Sequence, residues 1–283
     1  MIFSRDDVLR RLRAEISQGR PIVGAGAGTG ISAKFAEQGG ADLIVIYNSG
    51  RFRMAGHGSL AGLLAYGDAN AIVKEMGERE ILPVVRNVPV IAGVMGTDPL
   101  RRMEHLLAEL DALGFSGINN FPTVGLIDGR FRMELERTGM GFSREVEMIR
   151  AAHELGFFTC VYVFNPDEAA AMAQVGADAV IAHVGLTVGG SIGLSDQDAL
   201  SLEKAAAVVQ AIADAAKRIK TDVLVLCHGG PIATPEDAAY VLSRCDAQGF
   251  VGASSMERLP VETAIATTTR AFKSITPRRR ADS

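Results

Sequence analysis

The sequence predicts a single closed barrel of eight parallel β-strands, each followed by an α-helix. Eight short apolar runs recur along the chain, and seven of them lead into a helix-like stretch. Continuous Val/Ile/Leu runs are typical of parallel strands covered by helices on both faces. No Pro/Ser-rich linker divides the 283 residues, and the apolar fraction of 48% is enough for one large core. This strand count and chain length match a (β/α)₈, or TIM, barrel.

The first predicted element is a helix over Arg5–Gln18, which has apolar residues at helical spacing and is expected to lie outside the N-terminal end of the barrel. The eight predicted strands follow in order: Pro21–Gly26, Leu43–Tyr47, Val90–Val94, Gly117–Asn120, Phe158–Phe164, Ala179–His183, Val223–His228 and Gly249–Gly252. We expect residues 1–275 to form one domain and residues 276–283 to form a basic tail containing Arg278, Arg279 and Arg280.

The connecting helices are predicted from their boundaries. Pro99 is expected as the first residue of the third helix, Ser143 as the N-cap of a later one, and Pro260 just before the last. A long helix is expected from about Asp198 to Lys220. The segments after strands 2, 4 and 6 are unusually long, and long loops are uncommon unless they are functional. Because barrel sites lie at the C-terminal ends of the strands, function is sought in the residues that follow each run.

A phosphate site is predicted from the turns after strands 7 and 8. Small residues let backbone N–H groups approach an anion, and serine hydroxyls add donors. The residues of this predicted site are Gly229, Gly230, Ala253, Ser254 and Ser255, with Arg258 completing it. The alternative is that the glycines only form tight turns.

The pentapeptide Gly-Arg-Phe-Arg-Met occurs twice, at Gly50–Met54 and Gly129–Met133. Each copy is predicted to lie extended in a long loop, with two arginines pointing the same way. Paired guanidinium groups bind carboxylate or phosphate, so Arg51 and Arg53 are candidate substrate ligands. Coincidence and surface charge are the alternative explanation.

Histidines and amides stand at other strand ends. His183 and His228 end neighbouring strands and are candidate acid/base groups. Asn48 follows strand 2 and Asn119 lies near the end of strand 4, and amides suit an oxyanion better than a bare cation. Asp98 is the only strand-end carboxylate, so the ligands of any metal stay open.

Other classes of function are disfavoured. Gly24–Gly30 lacks the strict GxGxxG pattern and the acid after strand 2, so no nucleotide cofactor is expected. With a net charge of −4 and no basic aromatic face, the chain is not expected to bind nucleic acid. No apolar run is long enough for a membrane span and no signal peptide is visible, so a cytoplasmic protein is expected. The small and apolar residues at 205–213 predict a homo-oligomer.

Several long segments resemble the phosphoenolpyruvate hydrolase-like family of TIM-barrel proteins. They include Gly50–Val73, Val94–Met103, Gly114–Gly129, Thr138–Ile149, Cys227–Ala238 and Gly252–Glu262. The resemblance extends from about Phe3 to Ile275 and also covers the C-terminal barrel of a plant tobamovirus-resistance protein. It implies a barrel of the phosphoenolpyruvate mutase/isocitrate lyase type and Mg²⁺ as a cofactor. Asn48 and Asn119 stand where the acids of that superfamily would be sought.

The resemblance implies hydrolysis of phosphonopyruvate or phosphoenolpyruvate to pyruvate and phosphate, and hence a small anionic keto-acid substrate. Under this hypothesis Arg51 or Arg53 binds the carboxylate and Asn48 and Asn119 stabilise the enolate. His228 and His183 form the acid/base pair, and the glycine and serine turns hold phosphate. Two alternatives stay open, namely a carbon–carbon lyase acting on a related keto acid and a non-catalytic barrel for ligand sensing or oligomerisation.

Overall fold

The computed structural model describes residues 3–195 and 197–277 and shows a closed barrel of parallel strands. Each strand pairs with the next, and the last pairs with the first. The strands are β1 Ile22–Gly26, β2 Leu43–Ile46, β3 Val90–Gly93, β4 Gly117–Asn119, β5 Phe158–Val163, β6 Ala179–His183, β7 Leu224–His228 and β8 Gly249–Gly252. Every strand lies inside its predicted run, so the predicted fold class is confirmed.

Eleven α-helices are present in the described part of the chain. They are α1 Arg5–Ser17, α2 Gly30–Gln38, α3 Asn48–Met54, α4 Ala69–Met76, α5 Met103–Leu113, α6 Gly129–Arg137, α7 Phe142–Glu154, α8 Pro166–Gln174, α9 Leu202–Ile219, α10 Pro235–Leu242 and α11 Leu259–Lys273. Local sequence explains several starts. Ser4 and Asp7 form a capping box before α1, and Thr234 and Asp237 form another before α10.

The core consists of the strands and the inner faces of the helices. Nearly all strand residues are buried, as expected for a parallel sheet covered by helices. Helix α9 also buries Ala205, Ala206, Val209, Ile212 and Ala213 within its own barrel. The apolar content of α9 therefore does not indicate an interface, and this reason for predicting an oligomer is wrong.

Three local predictions are also wrong. Both Gly-Arg-Phe-Arg-Met copies are helical, in α3 and α6, and are not extended. Residues two positions apart on a helix point to different sides of it. The two arginines of each copy therefore do not bind the same group. Pro99 lies four residues before α5, and Ser143 lies inside α7, which begins after Gly141.

Helix α11 differs from the other long helices because it has no buried residue. Its side chains Ile265 and Phe272 are exposed, as are Ile31 and Phe35 on α2. The arginines of the predicted tail, Arg278, Arg279 and Arg280, lie outside the described residues. In the described segments, no helix combines the length and hydropathy needed to cross a membrane.

Candidate functional site

A cavity of about 270 Å³ lies among residues that follow the barrel strands. Its rings are Tyr47, Phe121, Tyr162, His183 and His228. Its polar side chains include Ser49, Arg53, Thr187, Ser254 and Arg258. The loop after β6 contributes apolar contacts through Leu186, Ile192 and Leu194. A small, mostly apolar cavity with a few convergent polar groups is the usual form of a small-molecule site.

The rings form one contiguous cluster. His183 and His228 are paired in register at the ends of β6 and β7, and their ring centroids lie 4.7 Å apart. Tyr162 lies 5.4 Å from His183 and 5.0 Å from His228. Phe121 lies 4.7 Å from Tyr47 and 5.8 Å from Tyr162. The histidines therefore face the cavity from within an aromatic wall.

The two histidines have complementary hydrogen-bonding roles. The carbonyl of Val251 can only accept, so Nδ1 of His228, 2.6 Å away, carries a proton. The N–H of Gly185 donates to Nδ1 of His183 over 3.2 Å, so that nitrogen carries none. In neutral rings, Nε2 of His228 is an acceptor and Nε2 of His183 is a donor. Burial lowers the pKa of His228 to about 4, and burial together with His228 lowers the pKa of His183 well below its ordinary value.

We expect the stability contribution of His228 to be lost on acidification. Its folded-state pKa of about 4 lies below the ordinary 6.5, so only the unfolded chain takes up a proton between these values. The contribution is complete above pH 6.5 and about 3 kcal/mol smaller at pH 4. Urea denaturation at pH 7, 6, 5 and 4 should show a steeper loss for wild type than for His228→Asn. Parallel curves would contradict this expectation.

Arg53 reaches the cavity from α3 and forms a buried ion pair with Glu257. Its Nε donates to Glu257 Oε1 over 3.0 Å, and its Nη2 contacts the same oxygen. Glu257 Oε2 accepts the N–H of Gly28 over 2.8 Å. A Cβ at Gly28 would lie 2.1 Å from the Gly50 carbonyl oxygen, so this glycine permits the close approach of the β1 loop to α3. The pair thus joins the loops that follow β1, β2 and β8.

Arg258 supplies the second guanidinium of the cavity. Its Nη1 pairs with Glu262 at 3.2 Å, and its Nη2 donates to the carbonyl of Gly189 over 3.0 Å. Its Nε is buried and has no hydrogen-bond partner among the described residues, and the same holds for Ser49 Oγ. Buried polar atoms are normally satisfied, so two such atoms on residues lining one cavity indicate a polar ligand.

The buried carboxyl group of Glu145 is linked by hydrogen bonds, through Asn120, to the backbone of Tyr162. Glu145 of α7 accepts hydrogen bonds from Asn120 Nδ2 over 2.7 Å and from the Val124 N–H over 2.8 Å. Asn120 in turn donates to the Tyr162 carbonyl and accepts from the Tyr162 N–H. Burial raises the pKa of Glu145 to about 8. This chain of hydrogen bonds fixes Tyr162 in position.

One predicted substrate ligand, Arg51, and two predicted catalytic residues, Asn48 and Asn119, lie outside the cavity lining. Arg51 is paired with Glu75 at 3.0 Å and with Glu80 at 2.5 Å. Asn48 donates to the Gly62 carbonyl, and Asn119 donates to the Cys160 carbonyl. Both amides are buried and hold neighbouring backbone in place, although their Oδ1 atoms have no hydrogen-bond partner within residues 3–195 and 197–277.

Only some of the residues predicted to bind phosphate line the cavity. Ala253 and Ser254 line the cavity, whereas Gly229, Gly230 and Ser255 do not. Both glycines have positive φ, and the Gly230 N–H is already used by the Gly185 carbonyl at 2.7 Å. This glycine pair therefore shapes the contact between the β6 and β7 loops.

Asp98, the strand-end carboxylate, is also outside the cavity lining. It accepts hydrogen bonds from Asn70 Nδ2 over 2.8 Å and from Arg101 Nη1 over 2.7 Å. Across residues 3–195 and 197–277, no group of three His, Cys, Asp or Glu side chains is placed to hold a metal ion.

Several residues of the cavity were not found from the sequence. Tyr162, Phe121 and Ser49 were not singled out, and neither was Glu257, the partner of Arg53. Tyr162 and Phe121 could have been noticed because each lies at the C-terminal end of a predicted strand or in the loop after it. Glu257 gave no local signal, since its partner is 204 residues away.

Comparison with known proteins agrees with this architecture. Residues 7–275 match the phosphoenolpyruvate hydrolase-like family. The ToMV resistance protein Tm-1(GCR237) of Solanum lycopersicum is 62% identical over 272 residues, which are 96% of this chain and 36% of that protein. The chain thus spans about a third of the length of this relative.

Two solved structures share the fold at low identity. A phosphonopyruvate hydrolase in complex with oxalate and Mg²⁺ has a TM-score of 0.56 at 19% identity, covering 94% of this chain and 87% of that one. A 2,3-dimethylmalate lyase of the PEP mutase/isocitrate lyase superfamily has a TM-score of 0.56 at 16% identity, with the same coverage. The family match and the tomato relative both span nearly all of the chain, so this protein belongs to the phosphoenolpyruvate hydrolase-like family.

Proposed function

We propose that this barrel is an enzyme that hydrolyses phosphonopyruvate or phosphoenolpyruvate to pyruvate and phosphate. The observation that supports it best is the cavity itself. Two guanidinium groups and two neutral imidazoles surround a space of about 270 Å³, and two of the lining residues, Ser49 and Arg258, carry a buried polar atom without a hydrogen-bond partner among the described residues. Such a space suits a small acid and is below the usual size of drug-sized ligand pockets. The family relationship supports the same choice of substrate.

The donors are suited to an anion. Arg53 and Arg258 provide positive charge, and their carboxylate partners fix the guanidinium planes. Ser49 and Ser254 add hydroxyl groups to the lining. The substrate carboxylate is assigned to Arg53, and the phosphoryl group to Arg258 with Ser254. Of the predicted ligands, Arg53, Ser254 and Arg258 keep a role in this proposal, and Ala253 lines the cavity.

The histidines supply the proton transfers. His228 Nε2 accepts a proton from water while the water oxygen bonds to phosphorus. In phosphonopyruvate the carbon–phosphorus bond breaks, in phosphoenolpyruvate the phosphorus–oxygen bond breaks, and in both the electron pair remains on the enolate of pyruvate. Tyr162 Oη and the Nε2–H of His183 donate hydrogen bonds to the enolate oxygen. The proton on His228 then moves to the enolate carbon, which gives pyruvate and phosphate and restores the neutral ring.

Magnesium does not fit this donor set. Mg²⁺ prefers carboxylate and water oxygens in an octahedral arrangement. In the described part of the chain, no aspartate or glutamate lines the cavity, and both oxygens of the nearby Glu257 are hydrogen-bonded. The orphaned atoms on the lining residues, Ser49 Oγ and Arg258 Nε, can both donate a hydrogen bond, and donors suit an anion.

The proposal is tested by supplying phosphonopyruvate and phosphoenolpyruvate and measuring phosphate and pyruvate together. Equal amounts of the two products are expected, with both lost in Arg258→Gln. Binding without any turnover would favour a sensing or oligomerisation barrel. Pyruvate formation from a related keto acid without phosphate release would favour a lyase.

A carbon–carbon lyase is the second candidate. The observation that favours it is the unprotonated Nε2 of His228, which faces the cavity as a neutral acceptor. Such a group can remove a proton from a substrate hydroxyl during carbon–carbon cleavage and leave the same type of enolate. Hydrolysis and carbon–carbon cleavage would use the same acid/base pair, so the two reactions are distinguished by their products.

We also propose that the protein is a homo-oligomer, for a reason that differs from the predicted one. Helix α11 leaves Ile265 and Phe272 exposed and has no buried residue. An apolar helix face that the described residues leave uncovered is typical of an association surface. Light scattering should report a mass well above the 29.9 kDa chain, and Phe272→Lys should lower it. A wild-type mass near 30 kDa at micromolar concentration would contradict the proposal.

A further inference from the structure

The unpartnered donors around the cavity are not explained by the folded chain alone. Ser49 Oγ and Arg258 Nε are buried without a hydrogen-bond partner in the described residues, and both residues line the same cavity, as does Tyr162. Ser49 and Arg258 belong to the segments after β2 and β8, and Tyr162 belongs to β5. Polar groups brought together from separate parts of the barrel, two of them unsatisfied, are suited to the oxygens of one ligand.

The carboxylates near these donors are already engaged. Glu257 accepts from Arg53 and from the Gly28 N–H. Glu262 accepts from Arg258 and from the N–H and hydroxyl of Ser191. Recruiting either one to a cation would break an ion pair that fixes a cavity arginine. The positive charge next to the cavity is therefore supplied by guanidinium groups.

We infer that the keto-acid anion is held in this cavity by protein donors alone, without a divalent cation. The inference rests on the proposed function for the class of ligand. Arg53 and the hydroxyls of Ser49 and Tyr162 donate to the carboxylate and keto oxygens, and Arg258 donates to the phosphoryl group. The Nε2–H of His183 adds a fourth donor from the neighbouring wall. The anion is thus bound by directional hydrogen bonds to its oxygens.

The test is calorimetric titration of the whole chain with oxalate, a small dianion that resembles an enolate of pyruvate. The dissociation constant is expected to agree within about twofold between buffer with EDTA and buffer with millimolar Mg²⁺. Tightening by Mg²⁺ of more than about tenfold, or binding only in its presence, would overturn the inference. An absence of oxalate binding in both buffers would overturn it as well.

Variants identify the donors. Tyr162→Phe keeps the buried ring and is expected to weaken oxalate binding in EDTA by about tenfold, as for loss of a hydrogen bond to a charged group. Tyr240→Phe is the matched control, because that hydroxyl lies on the surface and donates to Glu203. Unchanged affinity in Tyr162→Phe, with a wild-type melting temperature, would count against the inference.

Failure of this inference and failure of the proposed hydrolysis would give different results. Oxalate binding that is independent of Mg²⁺, combined with no phosphate release from phosphonopyruvate, would refute hydrolysis and leave the inference standing. Phosphate release that disappears in EDTA, together with Mg²⁺-dependent oxalate binding, would refute the inference and leave hydrolysis standing.

Discussion

Replacing Arg53 with methionine is expected to lower the free energy of unfolding by about 3–5 kcal/mol, the usual cost of breaking a buried ion pair. Arg53 and Glu257 are each only 3% exposed, so the remaining carboxylate would be left in the interior without its positive partner. The Gly28 N–H would be its one remaining hydrogen-bond donor in the described structure. Urea denaturation at pH 7 measures the change.

Arg144→Met provides the control for this variant. Arg144 pairs with Glu147 at 3.1 Å, but both side chains are more than half exposed, and such pairs contribute about 0–1 kcal/mol. The double variant Arg53→Met/Glu257→Leu should recover part of the loss, because it removes the unpaired charge. If Arg53→Met lowers the free energy of unfolding by no more than Arg144→Met does, the buried ion pair is not required for stability.

Replacing His228 with asparagine is expected to lower kcat by about 10²–10⁴-fold with little change in ligand affinity, as for loss of a general acid/base. The asparagine amide can still donate to the Val251 carbonyl in place of Nδ1, so the wall of the cavity is preserved. It has no nitrogen that accepts a proton at the position of Nε2. Steady-state kinetics with phosphonopyruvate and oxalate titration together separate the two effects.

The matched variant is His153→Asn, which removes a histidine located on helix α7 and outside the cavity. It should retain wild-type kcat. If His228→Asn keeps kcat within threefold of wild type, the proton transfer belongs to His183 or to neither histidine.

Because the pKa of His228 is depressed to about 4, kcat/KM of the wild type should also stay level from pH 8 to about pH 5.

The fold could be predicted because its signal is local. Each strand is a short apolar run that is buried on both faces, and a run such as Ala179–His183 needs no knowledge of its neighbours to be recognised. Positions at strand ends were predictable for the same reason. His183 and His228 end neighbouring strands, and the barrel order then places their rings together.

The site was harder to predict because its interactions join distant parts of the chain. Arg51 and Arg53 look equivalent in sequence, yet helix α3 directs one to Glu80 and the other to Glu257. No local pattern distinguishes them, since the choice depends on which carboxylate the tertiary fold brings near. The glycines at 229 and 230 resembled a phosphate loop because composition alone does not tell which N–H groups are already used.

The lack of burial along α11 has a consequence for the dynamics of the chain. A helix without a fully buried residue is held mainly by its own backbone hydrogen bonds, by its attachment after β8 and by the hydrogen bonds of Glu262 with Arg258 and Ser191. Its amide protons should therefore exchange with solvent through local opening, at a cost far below that of global unfolding. The amides of β5 and β6, enclosed on both faces, should exchange only when the whole barrel opens. If a second copy of the chain covers α11, hydrogen exchange of the α11 amides should slow as the protein concentration rises. The amides that slow would identify the residues of the contact.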